Sequence, residues 1–425
     1  MVVLALLLLI NLAFSTVFIA RWEGPITPVA ADYVERAIKK AKRENGTLFI
    51  LVLNTPGGLM ESMRSIIQSF EVAPFPVVVY VYPPGGRAAS AGAIITLAAD
   101  IAAMAPETNI GAAHPVFATP TDQNGEKREK GRDVMMEKVL QDTLAFVRAI
   151  AKEKGRNVEI AEKMVRESIS LTADEALKLR VIDLIAHDIN DLIEKLNGRK
   201  VTKLGKVFTI ETTNKNIVTI KPSVREQFLK ILTNPTVAYL LLMIGFYGIF
   251  FELYNPGAII PGVVGAISLL LGLYGLSVIS INWLGLLLII LGVLFFILEL
   301  LTPSFGALAV GGTLSIILGS LMLIEEGSPY GDLSKKLILS VSLFSALFFL
   351  SVGYLGMEAQ RKKKLTGAEG MIGEEGEVLT DFKEGKGKVF VHGEIWNAES
   401  KEELKKGDKI KVVGVKGLTL IVEKV

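Results

Sequence analysis

The sequence predicts three folds in series: an α/β domain, an all-α transmembrane bundle and a small all-β barrel. Three observations carry this. Strands alternate with helices from Val17 to about Asp188, five long apolar segments lie between 236 and 357, and short strands separated by glycine turns occupy 367–425. A length of 425 residues exceeds one ordinary domain, and a mean hydropathy of +0.45 lies between that of a soluble enzyme and that of a transporter. Forty-six basic residues against 44 acidic ones leave no basic excess to hold nucleic acid. The chain has no cysteine, which removes thiol nucleophiles, thiolate metal sites and disulfides together. With only His114, His187 and His392 besides, no metal or other cofactor is expected, and catalysis must rest on hydroxyls, carboxylates or lysines.

Residues 1–15, "MVVLALLLLINLAFS", have the length and apolarity of a signal peptide, with the small Ala13 and Ser15 where cleavage is expected. The α/β region follows over 16–188. "TVFIARWEG" reads as a strand, "VAADYVERAIKKAKREN" as an amphipathic helix, and "TLFILVLN" and "PVVVYVY" as strands buried on both faces. Helices over "GLMESMRSIIQSFEVA" and "AASAGAIITLAAD", then a short strand "IAAMAP", complete the rhythm of a parallel, helix-covered sheet. In such sheets functional crevices lie at the carboxyl ends of the strands. The turns at Gly57-Gly58 and Gly85-Gly86 each follow a buried strand and so sit on that edge, which puts Ser90 at the start of a helix there.

A serine in that place is suited to acyl transfer. Free N–H groups and the positive end of the helix lie beside it, and Ala88, Ala89, Ala91 and Gly92 allow a peptide backbone to approach. In "NTPGG", Pro56 fixes its own φ while Gly57 and Gly58 tolerate the dihedrals that aim an N–H outward. Gly58 and Ala91 are therefore the candidate oxyanion donors. Each signal taken alone is also that of a turn or a close-packed helix.

"LNTPGG", "AASAG", "IAAMAPETNIGAAHPV" and "SLTADEALKLRVID", in this order, resemble the ClpP/crotonase-like serine protease superfamily. With "LTNPTVAYLLLMIGFYGIFFELYNPG" and the carboxyl-terminal "GKVFVHGEIWNAES" and "GDKIKVVGVKGLTLIVEKV", nearly the whole chain resembles the NfeD family, membrane-bound proteases encoded beside stomatin-like proteins. The resemblance implies a serine endopeptidase with Ser90 as nucleophile and Lys138 as base, the lysine being placed by counting back from "GRN" at 155–157. It further implies a stomatin-like membrane protein as substrate and partner, cut in a hydrophobic segment, and a homo-oligomer, dimer or higher.

Such a base needs desolvation, for which Val134 and Met135 one turn earlier are suited, while a pairing with Asp142 one turn later would oppose it. Lys127 and Lys130 lie in a stretch, "TDQNGEKREKG", that reads as a mobile loop. The rival base is His114, which follows Ser90 by 24 residues (114 minus 90) as in ClpP-like proteases. Only Glu167 or Ser168 stands where the acid of such a triad is needed, and His114 otherwise lines the cleft. Arg180 stands where the superfamily has a helix-ending glycine. A non-catalytic scaffold for a stomatin-like partner is the alternative function.

A connector over 189–235 holds a helix "INDLIEKLNG", a hairpin through "KVFTIETTNKNIVTI" and an amphipathic "PSVREQFLKILTN". Five spans follow near 236–253, 257–278, 283–301, 305–324 and 336–357. The first two align without gaps on the next two, pairing Glu252 with Glu299, Gly265 with Gly312 and Gly272 with Gly319 at a constant offset of 47. Five crossings put the two soluble ends on opposite sides. "RKKK" at 361–364 places the tail in the cytoplasm and the α/β domain outside the cell membrane. The tail, 367–425, reads as an OB-like barrel that binds protein and not nucleic acid.

Overall fold

The computed structural model describes residues 15–115, 125–213, 215–254, 257, 259–279, 281–302, 306–324, 333–361 and 368–425. The proposed signal peptide up to residue 14 and most of "RKKK" lie outside them. Two compact units, Met1–Phe348 and Phe349–Val425, are each described by itself.

The first unit begins β1 (Ser15–Glu23), α1 (Pro28–Arg43), β2 (Leu48–Asn54), α2 (Met60–Glu71), β3 (Val77–Val81), β4 (Arg87–Ala89) and α3 (Ala91–Ala98). It continues β5 (Ile101–Met104), β6 (Asn109–Gly111), α4 (Gly125–Glu153), α5 (Val158–Arg166), β7 (Ser170–Thr172), α6 (Ala173–Lys178) and β8 (Leu184–Ile185). Then come α7 (Ile189–Leu196), β9 (Lys200–Lys203), β10 (Lys206–Thr209), β11 (Lys215–Ile220) and α8 (Val224–Leu232). Six strands form one parallel sheet in the order β11-β1-β2-β3-β5-β8. Every residue of β3 and all but the last of β2 are buried, because helices cover both faces. Thr27 caps α1 by accepting the Ala30 N–H, Pro28 opens it, and its apolar face from Val29 to Ala41 packs on the sheet. A second sheet, β4-β6-β7, stands over the carboxyl ends of the first.

The connector differs from expectation. Leu204 (φ 50°) and Gly205 (φ 72°) form a two-residue turn with both φ positive, so the hairpin joins β9 to β10. The next strand, β11, instead leaves for the main sheet and pairs parallel with β1, Ser15 opposite Lys215. Leu192, Ile193, Leu196, Val201 and Ile210 pack under β1 and β2, so this stretch is part of the α/β domain and not a linker. Arg180, at φ 56°, adopts the left-handed conformation of a helix-ending glycine, and the Val181 N–H closes back on Ala176 O at 2.8 Å. The stretch read as a mobile loop is helical from Gly125 on, although the side chains of Lys127 and Lys130 lie outside the described residues.

Five apolar helices follow: α9 (Pro235–Tyr254), α10 (Ile260–Val278), α11 (Trp283–Leu301), α12 (Ala307–Leu323) and α13 (Lys335–Arg361). Pro235–Leu253 and Ile260–Val278 are each long and apolar enough to span a bilayer, whereas Trp283–Glu299 and Ala307–Leu323 are shorter. The internal repeat holds in three dimensions, since α9 packs with α10 and α11 with α12 in the same register. A Cβ on Gly272 would lie 2.7 Å from Leu242 N, and one on Gly319 would lie 2.8 Å from Ile289 N, contacts offset by 47 on both sides. Glu299 accepts the Gly306 and Ala309 N–H groups at the start of α12, and Glu252 lies against Gly262 at the start of α10. Glu299 thus caps the helix that follows it, whereas Glu252 accepts only the Gly257 N–H of the intervening turn, at 3.5 Å, and its Oε2 is buried with no hydrogen-bond partner among the described residues.

In the second unit, β12 (Glu375–Val378), β13 (Lys386–Val391), β14 (Glu394–Glu399), β15 (Lys409–Lys416) and β16 (Thr419–Lys424) close a barrel in the order β12-β13-β14-β16-β15. Val378, Val389, Val391, Ala398, Leu404, Ile410, Val412, Leu420 and Val422 fill it. Alternation along each strand puts these residues inside and the charged ones outside.

Candidate active site

The site begins with the segment that leaves β2. Thr55 pairs parallel with Ala88 on one side, its N–H reaching Arg87 O at 2.8 Å and its O accepting from Ala89 N at 3.1 Å. On the other side Ile26 N–H donates to Gly57 O (2.8 Å) and Leu59 N–H to Ile26 O (2.9 Å), a parallel bridge centred on Gly58. A residue at the centre of such a bridge turns its own N–H to the opposite edge. For Gly58 that is the edge along which Thr55 pairs with Ala88 and Gly57 meets Ser90. The buried Thr55 hydroxyl accepts the Gly57 N–H and donates to Gly57 O, both at 3.1 Å, and so fixes the turn from within.

Ser90 stands where β4 becomes α3, at φ 52° and ψ −118°. A non-glycine residue there is strained, and such strain persists where the surroundings over-determine it. Here two fixtures do so. Ser90 N–H donates to Gly111 O at 2.9 Å, and Gly57 lies so close that a Cβ on it would be 2.7 Å from Ser90 Cβ. The Ser90 side chain makes no capping bond and is half-buried, and its Oγ lies beside the glycine turn, 3.3 Å from where a Cβ on Gly57 would be. Ala91 is the first residue of α3, where backbone N–H groups lack intrahelical acceptors. Gly57 and Ser90 thus meet at the sheet's carboxyl edge, with Gly58 and Ala91 as their neighbours along the chain.

Lys138 lies on α4, which packs against α3. Leu144, Val147 and Ala151 of this helix enter the core, whereas Lys138 is exposed and Met135 is 60% exposed. The expected apolar wall is therefore not built by Met135, and the Val134 side chain lies outside the described residues. Asp142 does not turn to Lys138. Its carboxylate lies 2.5 Å from Arg64 Nη2, and Arg64 also stacks on Phe146 with 4.3 Å to the ring centroid.

His114 follows β6 and is half-buried, with Nδ1 3.0 Å from Val165 O at the end of α5. A backbone carbonyl thus stands where a triad would have its acid. Glu167 caps the end of α5, and Ser168 takes φ 56°. What sequence reasoning missed is the second sheet: β4, β6 and β7 have three residues each, too few for any period to show. Gly111, which seats Ser90, was overlooked for that reason, though a glycine in "NIGAAH" was its visible signal.

Three families of domain match this chain in order. The NfeD1b N-terminal domain matches 16–203, the NfeD integral membrane domain 236–355, and the NfeD-like C-terminal, partner-binding domain 368–424. The membrane-bound protease PH1510 of Pyrococcus horikoshii is 39% identical over 99% of this chain and 96% of its own length. The ATP-dependent Clp protease proteolytic subunit 1 of Chlamydia abortus is 25% identical over 38% of this chain and 82% of its own. Among solved structures, a 1510-N membrane protease specific for a stomatin homolog from Pyrococcus horikoshii is 34% identical, covering 52% of this chain and 98% of that one, with a TM-score of 0.44.

Proposed function

The chain belongs to the NfeD family and is a membrane-bound serine protease, and from that premise we propose that it cuts an apolar segment of a stomatin-like membrane protein with Ser90 and Lys138. The observation that carries this reading is the strained Ser90 backbone, held between Gly57 and Gly111 at the start of α3. Ser90 Oγ bonds to the scissile carbonyl carbon as the Lys138 amine takes its proton. The carbonyl electron pair moves onto oxygen, which accepts the Gly58 and Ala91 N–H groups. As the C–N bond breaks, Lys138 returns the proton to the leaving amine, and water cleaves the acyl ester by the same route in reverse.

A lysine serves as a base only where water is excluded. Because Lys138 is exposed, the substrate must supply the cover, and an apolar segment laid along α4 suits that need where a polar one does not. His114 is the weaker base, since the bond of Nδ1 to the Val165 carbonyl leaves no carboxylate to stabilise an imidazolium. In this reading the α/β domain is extracytoplasmic, the barrel cytoplasmic and the protein a homo-oligomer.

The test is covalent capture. Full-length protein treated with a fluorophosphonate is expected to carry the adduct on Ser90, located by mass spectrometry. Ser90→Ala is expected to lose the adduct and about 10⁴-fold or more of peptide cleavage. Wild-type turnover in Ser90→Ala would remove the nucleophile from this account.

A further inference from the structure

The short helix that leads into the membrane hairpin reaches the edge of the candidate active site through Lys230. The short helix α8 ends at Leu232, which is buried, and a Cβ on Gly275 of α10 would overlap the Leu232 carbonyl oxygen. Packing this close fixes the end of α8 on the hairpin of α9 and α10. Two residues earlier, Lys230 Nζ stands over the ring of Trp22, 4.8 Å from its centroid, and its Cε lies 3.8 Å from where a Cβ on Gly24 would be. Trp22 is buried at the carboxyl end of β1, on the same edge of the sheet as Ser90. Its Nε1–H donates to Pro25 O at 3.1 Å. The next residue, Ile26, holds Gly57 and Leu59 through the two backbone bonds of the Gly58 bridge. Gly57 in turn packs on Ser90.

We propose that Lys230 and Trp22 are positioning residues that tie the membrane hairpin to the Gly57–Gly58 turn and so hold the oxyanion donors in register with Ser90. The proposal rests on the protease reading for its effect on rate, but not for its effect on structure. Neither side chain touches the reacting atoms. Their removal relaxes the segment 24–26, and with it the bridge that aims the Gly58 N–H. Oxyanion stabilisation is realised in the transition state and not in substrate binding, so the loss falls on kcat and not on KM. Arg keeps a cation over the indole, whereas Met keeps the length of the side chain without the charge.

The experiment uses the full-length protein in phosphatidylcholine vesicles, with Lys230→Met, Lys230→Arg and Trp22→Phe. Hydrogen exchange at the Ile26 and Leu59 amides is read alongside kcat and KM on a quenched-fluorescent peptide with an apolar run. Lys230→Met is expected to speed exchange at both amides about tenfold and to lower kcat about tenfold, with KM within about twofold, as a displaced donor predicts. Lys230→Arg is expected to restore both readouts. Trp22→Phe, which lacks the indole N–H to Pro25, is expected to speed exchange even with Lys230 in place. Unchanged exchange in both Lys230→Met and Trp22→Phe overturns the proposal. Altered exchange in a protein that cleaves no peptide at all would keep the strut and refute the protease mechanism instead.

Discussion

At the scale of single residues, backbone conformation decides more than side-chain chemistry. Gly57, at φ 122°, sits where a Cβ would lie 2.7 Å from Ser90 Cβ and 3.3 Å from its Oγ. Gly57→Ala therefore has to displace the serine or the turn, and a shift of about 1 Å at a reacting group costs on the order of 10² in rate. We expect that loss of peptide cleavage with the far-ultraviolet circular dichroism unchanged. Arg180 is the converse case, a side chain in a conformation that suits glycine. Arg180→Gly is expected to stabilise the α/β domain by up to about 1 kcal/mol, measured by thermal unfolding, because the left-handed penalty exceeds the entropy that glycine loses on folding. The sequence marked Gly57, Ser90 and Arg180 as positions of interest. It did not show that Gly57 and Ser90 touch, because that contact joins two segments through a sheet of three-residue strands.

Elements were legible in proportion to their length and periodicity. The buried runs of β2 and β3, the amphipathic α1, the repeated apolar hairpins and the barrel all carry patterns that survive folding unchanged. The hairpin was displaced by one strand because "LG" at 204–205 carries a weak turn signal, while the polar run before Lys215 reads as a stronger one. The docking of α8 on α1 was not visible at all, since it depends on a pair 190 residues apart. Arg36 donates to Glu226 through Nε (2.7 Å) and Nη2 (2.6 Å), and the Ser223 N–H donates to the same carboxylate at 2.6 Å. Burial raises the Glu226 pKa, but Arg36 and Ser223 lower it by more, and the net is below the ordinary 4.5. A carboxyl lowered in the folded state stabilises fully above its unfolded value and loses that contribution as pH falls through the folded one. Thermal stability is thus expected to fall as pH drops below about 4.5, and Glu226→Gln to cost about 1–2 kcal/mol at pH 7 while flattening that acid limb. An acid limb as steep in Glu226→Gln as in the wild type would assign it to another group.

For the whole molecule, the topology proposed above has α9 and α11 crossing in the same direction, which ends Glu252 and Glu299 on one side of the bilayer. In that proposed topology all five helices cross, the α/β domain is outside, and the basic run after α13 stays in the cytoplasm. Protease added to sealed right-side-out vesicles is expected to cut within 116–134 and to spare everything after Lys364, and the inverse pattern reverses the topology. In the proposed mechanism one strained serine, set against a glycine turn, draws its base from a lysine that the substrate covers. The measurement that bears on it most directly is kcat/KM for an apolar peptide in Lys138→Ala and His114→Ala, beside Ser90→Ala as the zero. Lys138→Ala is expected to fall nearly to that zero, by about 10³-fold or more, while His114→Ala stays within about tenfold of the wild type. The opposite ranking, with Lys138→Ala active and His114→Ala dead, would contradict it.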